Sequence, residues 1–286
     1  MNDVDNEKID CDSSSRSVNS LIWSFPVLLN VTACLVYSAT QACDALLQIE
    51  PSTNGGQRCG DTRFSLLSGS KVRQLEGEDA IGLRRWVAIG AQLDCYFETQ
   101  VEVNRPSIDL AQLQDTPRYQ LPASVIQYLM PSRYCQSDLF LDFTAIQFEG
   151  LTGGARVLSM NDWVASNFTY DIFSSNPGTT ATESFAALRG VCRDYAHVLI
   201  AMIRAVGIPA RFVSVYAPDV KPQDFHAVVE VFLEGDWRLV DPTGMAQPTE
   251  IVRICVGRDA ADASFLTSYG VLNLQEQSVQ VQRVTA

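Results

Sequence analysis

Cys192, His226 and Asp241 are the residues of this 286-residue chain whose types and spacing permit nucleophilic chemistry. A thiol attacks a carbonyl carbon as its thiolate, which the free N–H groups and dipole of a helix's first turn favour. The spacing predicts a helix over 192–206. Ala196, Leu199, Ile200, Ile203 and Val206 form one apolar stripe, widened by Val198, Met202 and Ala205, so the helix should be buried nearly all round. Gly207 stands where a left-handed C-cap would, and Pro209 forbids continuation. Cys192 therefore opens the helix, where its own backbone N–H is aimed at a developing oxyanion.

A thiolate needs a base, and the chain has two histidines. His197 lies five residues along the same helix, about 140° round the axis, so its side chain should point elsewhere. His226 is the candidate base. Asp241 follows fifteen residues later, at the end of the next strand. If Glu234-Gly235 is a two-residue hairpin loop, Leu233 faces Asp236 and His226 faces Thr243. Asp241 is then a same-face diagonal neighbour of His226, at a reachable ~7–8 Å between backbones. A three-residue loop would reverse this parity.

Each residue alone has a plainer reading. A cysteine at a helix start is more often a small buried residue, a histidine before an apolar strand a hydrogen-bonded core residue, and Asp before Pro a turn former. Together, with Cys on a buried helix, His on a strand and Asp on its hairpin partner, they favour catalysis.

The elements that must position them suggest two domains. Residues 1–20 are acidic, Ser-rich and weakly hydrophobic, and read as a flexible tail. Residues 21–115 carry short alternating strands around Val31–Tyr37, Ala45–Ile49, 64–67, 83–89 and 95–103, the pattern of an antiparallel sandwich. The boundary belongs in the connector 104–122, with its prolines at 106, 117 and 122. Residues 116–286 begin with helical stretches at 123–129, 137–149 and 156–168, then a Gly/Ser/Thr-rich loop at 174–182. After the buried helix come strands at 211–216, 226–233, 237–240, 251–256 and 279–284, which makes this half α+β.

Composition excludes several function classes. A formal charge of −12, without any Lys/Arg cluster, leaves nucleic acid and anionic membrane without an electrostatic handle. Eight cysteines are scattered with no C-x-x-C pair, so a reduced compartment is expected and structural zinc is not. The apolar run 21–29 follows an acidic segment and contains Pro26, unlike an export signal. The expected location is cytoplasmic. No acidic loop with EF-hand spacing is present, so calcium dependence is not expected; no cofactor or metal site is assigned.

Four segments carry a family resemblance: Arg189-Gly-Val-Cys192-Arg-Asp-Tyr-Ala-His197, Gly207-Ile-Pro-Ala-Arg211, Phe225-His226-Ala227 and Trp237-Arg-Leu-Val-Asp241-Pro-Thr243. They resemble the bacterial transglutaminase-like proteins. Leu129–Asp138 and Val256–Asp262 look like the segments that bracket the core in that family, and the β-rich region is similar to its N-terminal domain. The resemblance implies a papain-like α+β core preceded by a β-rich domain, with Cys192 as nucleophile, His226 as base and Asp241 as orienter. It also implies that Trp163 or Tyr170 completes the oxyanion hole, although each is more often a packing residue. Asp194 and Arg193 read either as a support around the thiolate or as an ordinary first-turn acid and surface cation. Arg258, Asp259 and Asp262 read as an ion-pair network.

The expected reaction is thiol-dependent acyl transfer or hydrolysis on a peptide or protein amide, through a thioester. Water as acceptor would make the enzyme a peptidase or amidase, the favoured outcome, and an amine a transglutaminase. The alternative is a catalytically silent protein in which the same fold is a protein-binding scaffold.

Overall fold

The computed structural model of the protein describes residues 25–66 and 71–284. The segment 1–20 expected as a tail lies outside the described residues. The β-rich part contains β1 (Val27–Ala39), β2 (Cys43–Leu47), β3 (Gln57–Leu66), β4 (Val72–Glu76), β5 (Leu83–Ile89) and β6 (Gln92–Val103). Beyond the connector come α1 (Ala123–Ile126), α2 (Leu141–Gln147), α3 (Gly153–Asn167), β7 (Thr169–Tyr170), α4 (Ala181–Ala187), β8 (Arg189–Gly190) and α5 (Cys192–Ala205). The chain finishes with β9 (Ala210–Tyr216), β10 (His226–Leu233), β11 (Asp236–Val240), β12 (Val252–Gly257), α6 (Ala260–Ala263), β13 (Leu266–Ser268) and β14 (Leu272–Arg283).

Three four-stranded antiparallel sheets organise these elements, in the orders β14-β1-β6-β3, β13-β2-β5-β4 and β11-β10-β9-β12. In the first two, alternation does the work the sequence predicts. Leu29, Val31, Ala33 and Leu35 of β1 and Leu93, Cys95 and Phe97 of β6 turn inward, while their neighbours face out.

Strands from either side of the expected boundary pair: β13 with β2, and β14 with β1, Val279 facing Ala33 and Val281 facing Val31. The apolar alternation of β1 needs a partner on each side, and the C-terminal strand supplies one.

The third sheet is the platform for the site. α5 lies against one face, its Ala196, Leu199, Ile200 and Ile203 sharing a core with Phe212, Ala227, Val229 and Val231. It is buried nearly all round. It ends in a Schellman motif, with Gly207 at φ +80°, its N–H on the Arg204 carbonyl and the Ile208 N–H on the Ile203 carbonyl. The opposite face carries Val213, Val215, Val228 and Val256. Glu234 and Gly235 both take positive φ, so β10 and β11 join through a two-residue type I′ turn with Leu233 opposite Asp236. No helix among the described residues is long and apolar enough to cross a membrane.

Candidate active site

Cys192 is half-buried and opens α5. β7 and β8 run parallel with Tyr170 beside Gly190, and this short ladder delivers the chain to the helix. Val191 is the extended N-cap residue, and Asp194 Oδ2 accepts its N–H at 2.9 Å. Asp194 is fully buried. Arg193 stands 3.4 Å from its other oxygen and donates to Ser175 Oγ and the Asn176 carbonyl, each at 2.6 Å. These two residues fix the turn that presents the sulfur. Gly190 permits it, since a Cβ there would lie 2.5 Å from the Asp194 Cβ.

His226 begins β10 and Asp241 follows β11, and the hairpin register brings them together. His226 Nε2 lies 3.1 Å from Asp241 Oδ2. That oxygen also accepts the Ala246 N–H at 2.8 Å, and Oδ1 accepts the Thr243 N–H at 2.9 Å and the Thr243 hydroxyl at 2.8 Å. Asp241 is thus both the turn former of its Asp-Pro-Thr context and the partner of the ring. Thr243 and the Ala246 N–H are the site groups that the sequence reading did not assign. The Asp-x-Thr spacing of an Asx-turn was the available signal.

The other ring nitrogen of His226, Nδ1, is buried and has no hydrogen bond of ordinary geometry among the described residues. Cys192 nevertheless lies near enough to act on the ring as hydrogen-bond partner and charge. Burial works against a charged ring, but the hydrogen bonds and charges of Asp241 and Cys192 outweigh it and raise the His226 pKa to about 10. For Asp241, burial acts upward and the bonds from His226 and Thr243 prevail, holding the carboxyl below its ordinary range. At neutral pH the pair is imidazolium and carboxylate.

The two aromatic candidates separate. Tyr170 neighbours Cys192, and burial followed by the Cys192 charge raises its pKa, so it stays an O–H donor at neutral pH. Trp163 instead joins an aromatic cluster, stacked on Phe185 at 5.5 Å and edge-on to Phe143 at 5.0 Å. Its indole makes no hydrogen bond among the described residues, and its ring contacts reach Tyr170 through Phe168 and Tyr195.

His197 is a core residue. It stacks on Tyr134 at 5.2 Å, and its Nε2 accepts the Ala260 N–H at 3.1 Å. Burial, with Arg193 and Arg204 nearby, pushes its pKa well below the ordinary value, so the ring is neutral. Arg258 and Asp262 pair at 2.8 Å, and Asp259 accepts the Tyr134 N–H at 2.9 Å. Among the described residues no group of three His, Cys, Asp or Glu is placed to hold a metal ion.

Residues 146–242 match the family profile of the transglutaminase-like superfamily core. An uncharacterised protein of Mycobacterium leprae is 28% identical over 117 residues, a region that covers 38% of this chain and 42% of that protein. The chain thus spans less than half of the length of that curated relative. A solved structure from Cytophaga hutchinsonii, described provisionally as a cysteine protease, superposes with a TM-score of 0.89 at 26% identity. The match covers 93% of this chain and 94% of that one.

Proposed function

Because the chain belongs to the transglutaminase-like superfamily through its domain at 146–242, we propose that it is a thiol-dependent hydrolase of peptide amide bonds, with Cys192 as nucleophile, His226 as base and Asp241 as its orienter. The observation that carries this reading is the His226–Asp241 contact at 3.1 Å beside a cysteine that opens a buried helix.

The Cys192 thiolate adds to the amide carbonyl carbon, and the oxygen takes the negative charge. The Cys192 N–H and the Tyr170 hydroxyl are the donors assigned to that charge in this reading. As the C–N bond breaks, the His226 imidazolium gives its proton to the leaving amine, and a thioester remains. Neutral His226 then takes a proton from water as the oxygen attacks. The C–S bond breaks, the thiolate is restored, and a carboxylic acid leaves. Asp241 keeps the ring oriented and stabilises its charged form. An amine in place of water would give cross-linking. The likeness to the Cytophaga hutchinsonii protein favours water.

The test is to incubate the chain with a peptide-amide library, with and without a primary amine, quench in acid, and analyse the peptide containing Cys192 by mass spectrometry. A thioester adduct on Cys192, absent in Cys192→Ser, with free acid as product is expected. A library left uncleaved, with no adduct, would favour a silent scaffold.

A further inference from the structure

β10 alternates His226, Val228 and Glu230 on one face, so the strand that starts at the candidate site carries a buried carboxylate roughly 13 Å further along. Glu230 faces Arg211 on β9, whose Nε donates to Oε2 at 2.7 Å. Arg253 of β12 donates to Oε1 at 2.9 Å. These three side chains belong to residues only 2, 2 and 7% exposed. Arg211 also reaches Asp79 Oδ2 at 2.7 Å, and its guanidinium lies 4.0 Å over the Trp237 ring.

A cavity of about 730 Å³ opens over these charges, where the β-rich part meets the third sheet. Junctions of this kind, at this volume, are where small organic ligands bind. Arg105, Arg211, Arg238 and Arg253 line it against two carboxylates, Glu230 and Asp236. Even with Asp79 counted from behind Arg211, four guanidinium groups meet three acids. Arg105 is the one without an acid: it donates to the carbonyls of Gly55, Pro248 and Ile251 and to the Gln57 side-chain oxygen. Burial, and then the charge of Arg253, lower its pKa to about 10, which leaves it charged at neutral pH. Arg253 Nε and Arg238 Nε lie behind this wall, out of contact with solvent and without a hydrogen-bond partner among the described residues. One half-buried guanidinium in excess of the acids along a cavity wall favours an anion there. Ile108, Leu110, Trp237 and Leu239 give part of the wall an apolar surface, beside the polar Asn104, Ser107, Gln247 and Thr249.

We propose that this cavity is a second binding site, for an organic carboxylate whose anionic end sits among Arg105, Arg238 and Arg253 and whose apolar body lies against Trp237 and Leu239. A peptide C-terminus and a small free acid share this chemistry. The site stands whether or not Cys192 is a nucleophile.

Titration of the full chain with four probes tests it, read by calorimetry and by intrinsic tryptophan fluorescence. The probes are N-acetyl-leucine, N-acetyl-leucinol, N-acetyl-Ala-Ala-Leu with a free carboxylate, and inorganic phosphate. Expected are binding of N-acetyl-leucine at least about tenfold tighter than of the alcohol, weakening with added salt, and a loss of about tenfold in Arg105→Gln. Tighter binding of the tripeptide would mark a peptide terminus as the natural source, and tighter binding of N-acetyl-leucine a free acid. Equal binding of acid and alcohol, no binding of either at millimolar concentration, or phosphate binding as tightly as the acid would overturn the proposal. The acid-against-alcohol comparison uses the unaltered chain, so it decides even if Arg105→Gln does not fold.

Discussion

His226 is pulled in two directions, and the stronger one sets a measurable pH range. Its pKa is raised from 6.5 to about 10, so the stability that its charged form contributes is fully present below 6.5 and is lost as pH rises through about 10. Asp241 is shifted downward, so its contribution is present above 3.8 and is lost as pH falls through its lower folded value. In the proposed mechanism the imidazolium is the proton donor of the first step. The kcat/KM profile on a cleaved peptide should therefore have a basic limb near pH 10. Asp241→Asn should move that limb toward neutrality and lower kcat by at least ~10²-fold. An unmoved limb with undiminished turnover would reduce Asp241 to its turn. The cysteines offer a separate readout. Burial pushes the thiols of Cys95, Cys135 and Cys255 up to about 12 and raises those of Cys34 and Cys59, so they remain unreactive thiols. Cys192, next to an imidazolium, should be alkylated by iodoacetamide at pH 6 before any of them, as peptide mapping would record. Cys192 lagging behind these five would exclude it as the nucleophile.

Among the elements, α5 and the β10–β11 hairpin were the most legible, because each is written in local chemistry. The stripe from Ala196 to Ile203 sets the buried helix, Gly207 its left-handed end, and Glu234-Gly235 a turn that fixes which residues face each other. α4 starts where the Gly/Ser/Thr-rich loop ends, and the sequence reading did not assign it. Seven residues are too few to show a helical period, and the signal that existed was the Thr180–Glu183 capping box. The Arg211–Glu230–Arg253 cluster was half visible as single charges within apolar strands. Their meeting depends on the order β10-β9-β12, which no local pattern encodes. The turn before α5 makes a sharper prediction. In Gly190→Ala the new methyl would stand 2.5 Å from the Asp194 Cβ and 2.8 Å from Oδ2, forcing the carboxylate off the Val191 N–H. Overpacking of this kind costs about 1–3 kcal/mol. Stability in urea should fall by that amount, and Cys192 alkylation should slow while the spectrum of the sheet persists. A variant with the alkylation rate of the parent would show that the Asp194 cap does not position the sulfur.

At the scale of the whole molecule, the β-rich part and the α+β part share strands and a core. One contiguous core runs from Leu29 and Phe97 through Leu199 and Val231 to Val279 and Val281. The C-terminal strands cross back to β1 and β2, and Asp79 and Asn54 on one side bind Arg211 and Arg253 on the other. The proline-rich connector between residues 104 and 122 marks a change of architecture in the sequence, but it could not reveal these returns, which depend on long-range pairing. A fragment of residues 116–286 keeps every catalytic candidate and α5, yet strips β13 and β14 of their partners and leaves Arg211 without Asp79. Removing one partner of a buried ion pair costs about 3–5 kcal/mol, a large share of the ~5–15 kcal/mol that holds a domain folded. The fragment should therefore show no cooperative thermal transition. The full chain should unfold in a single step, with near-ultraviolet circular dichroism and tryptophan fluorescence changing together. A folded fragment with reactive Cys192, or two separated transitions in the full chain, would mean that the two parts are independent. The shared strands would then be a covering for the active core and not a condition of its folding.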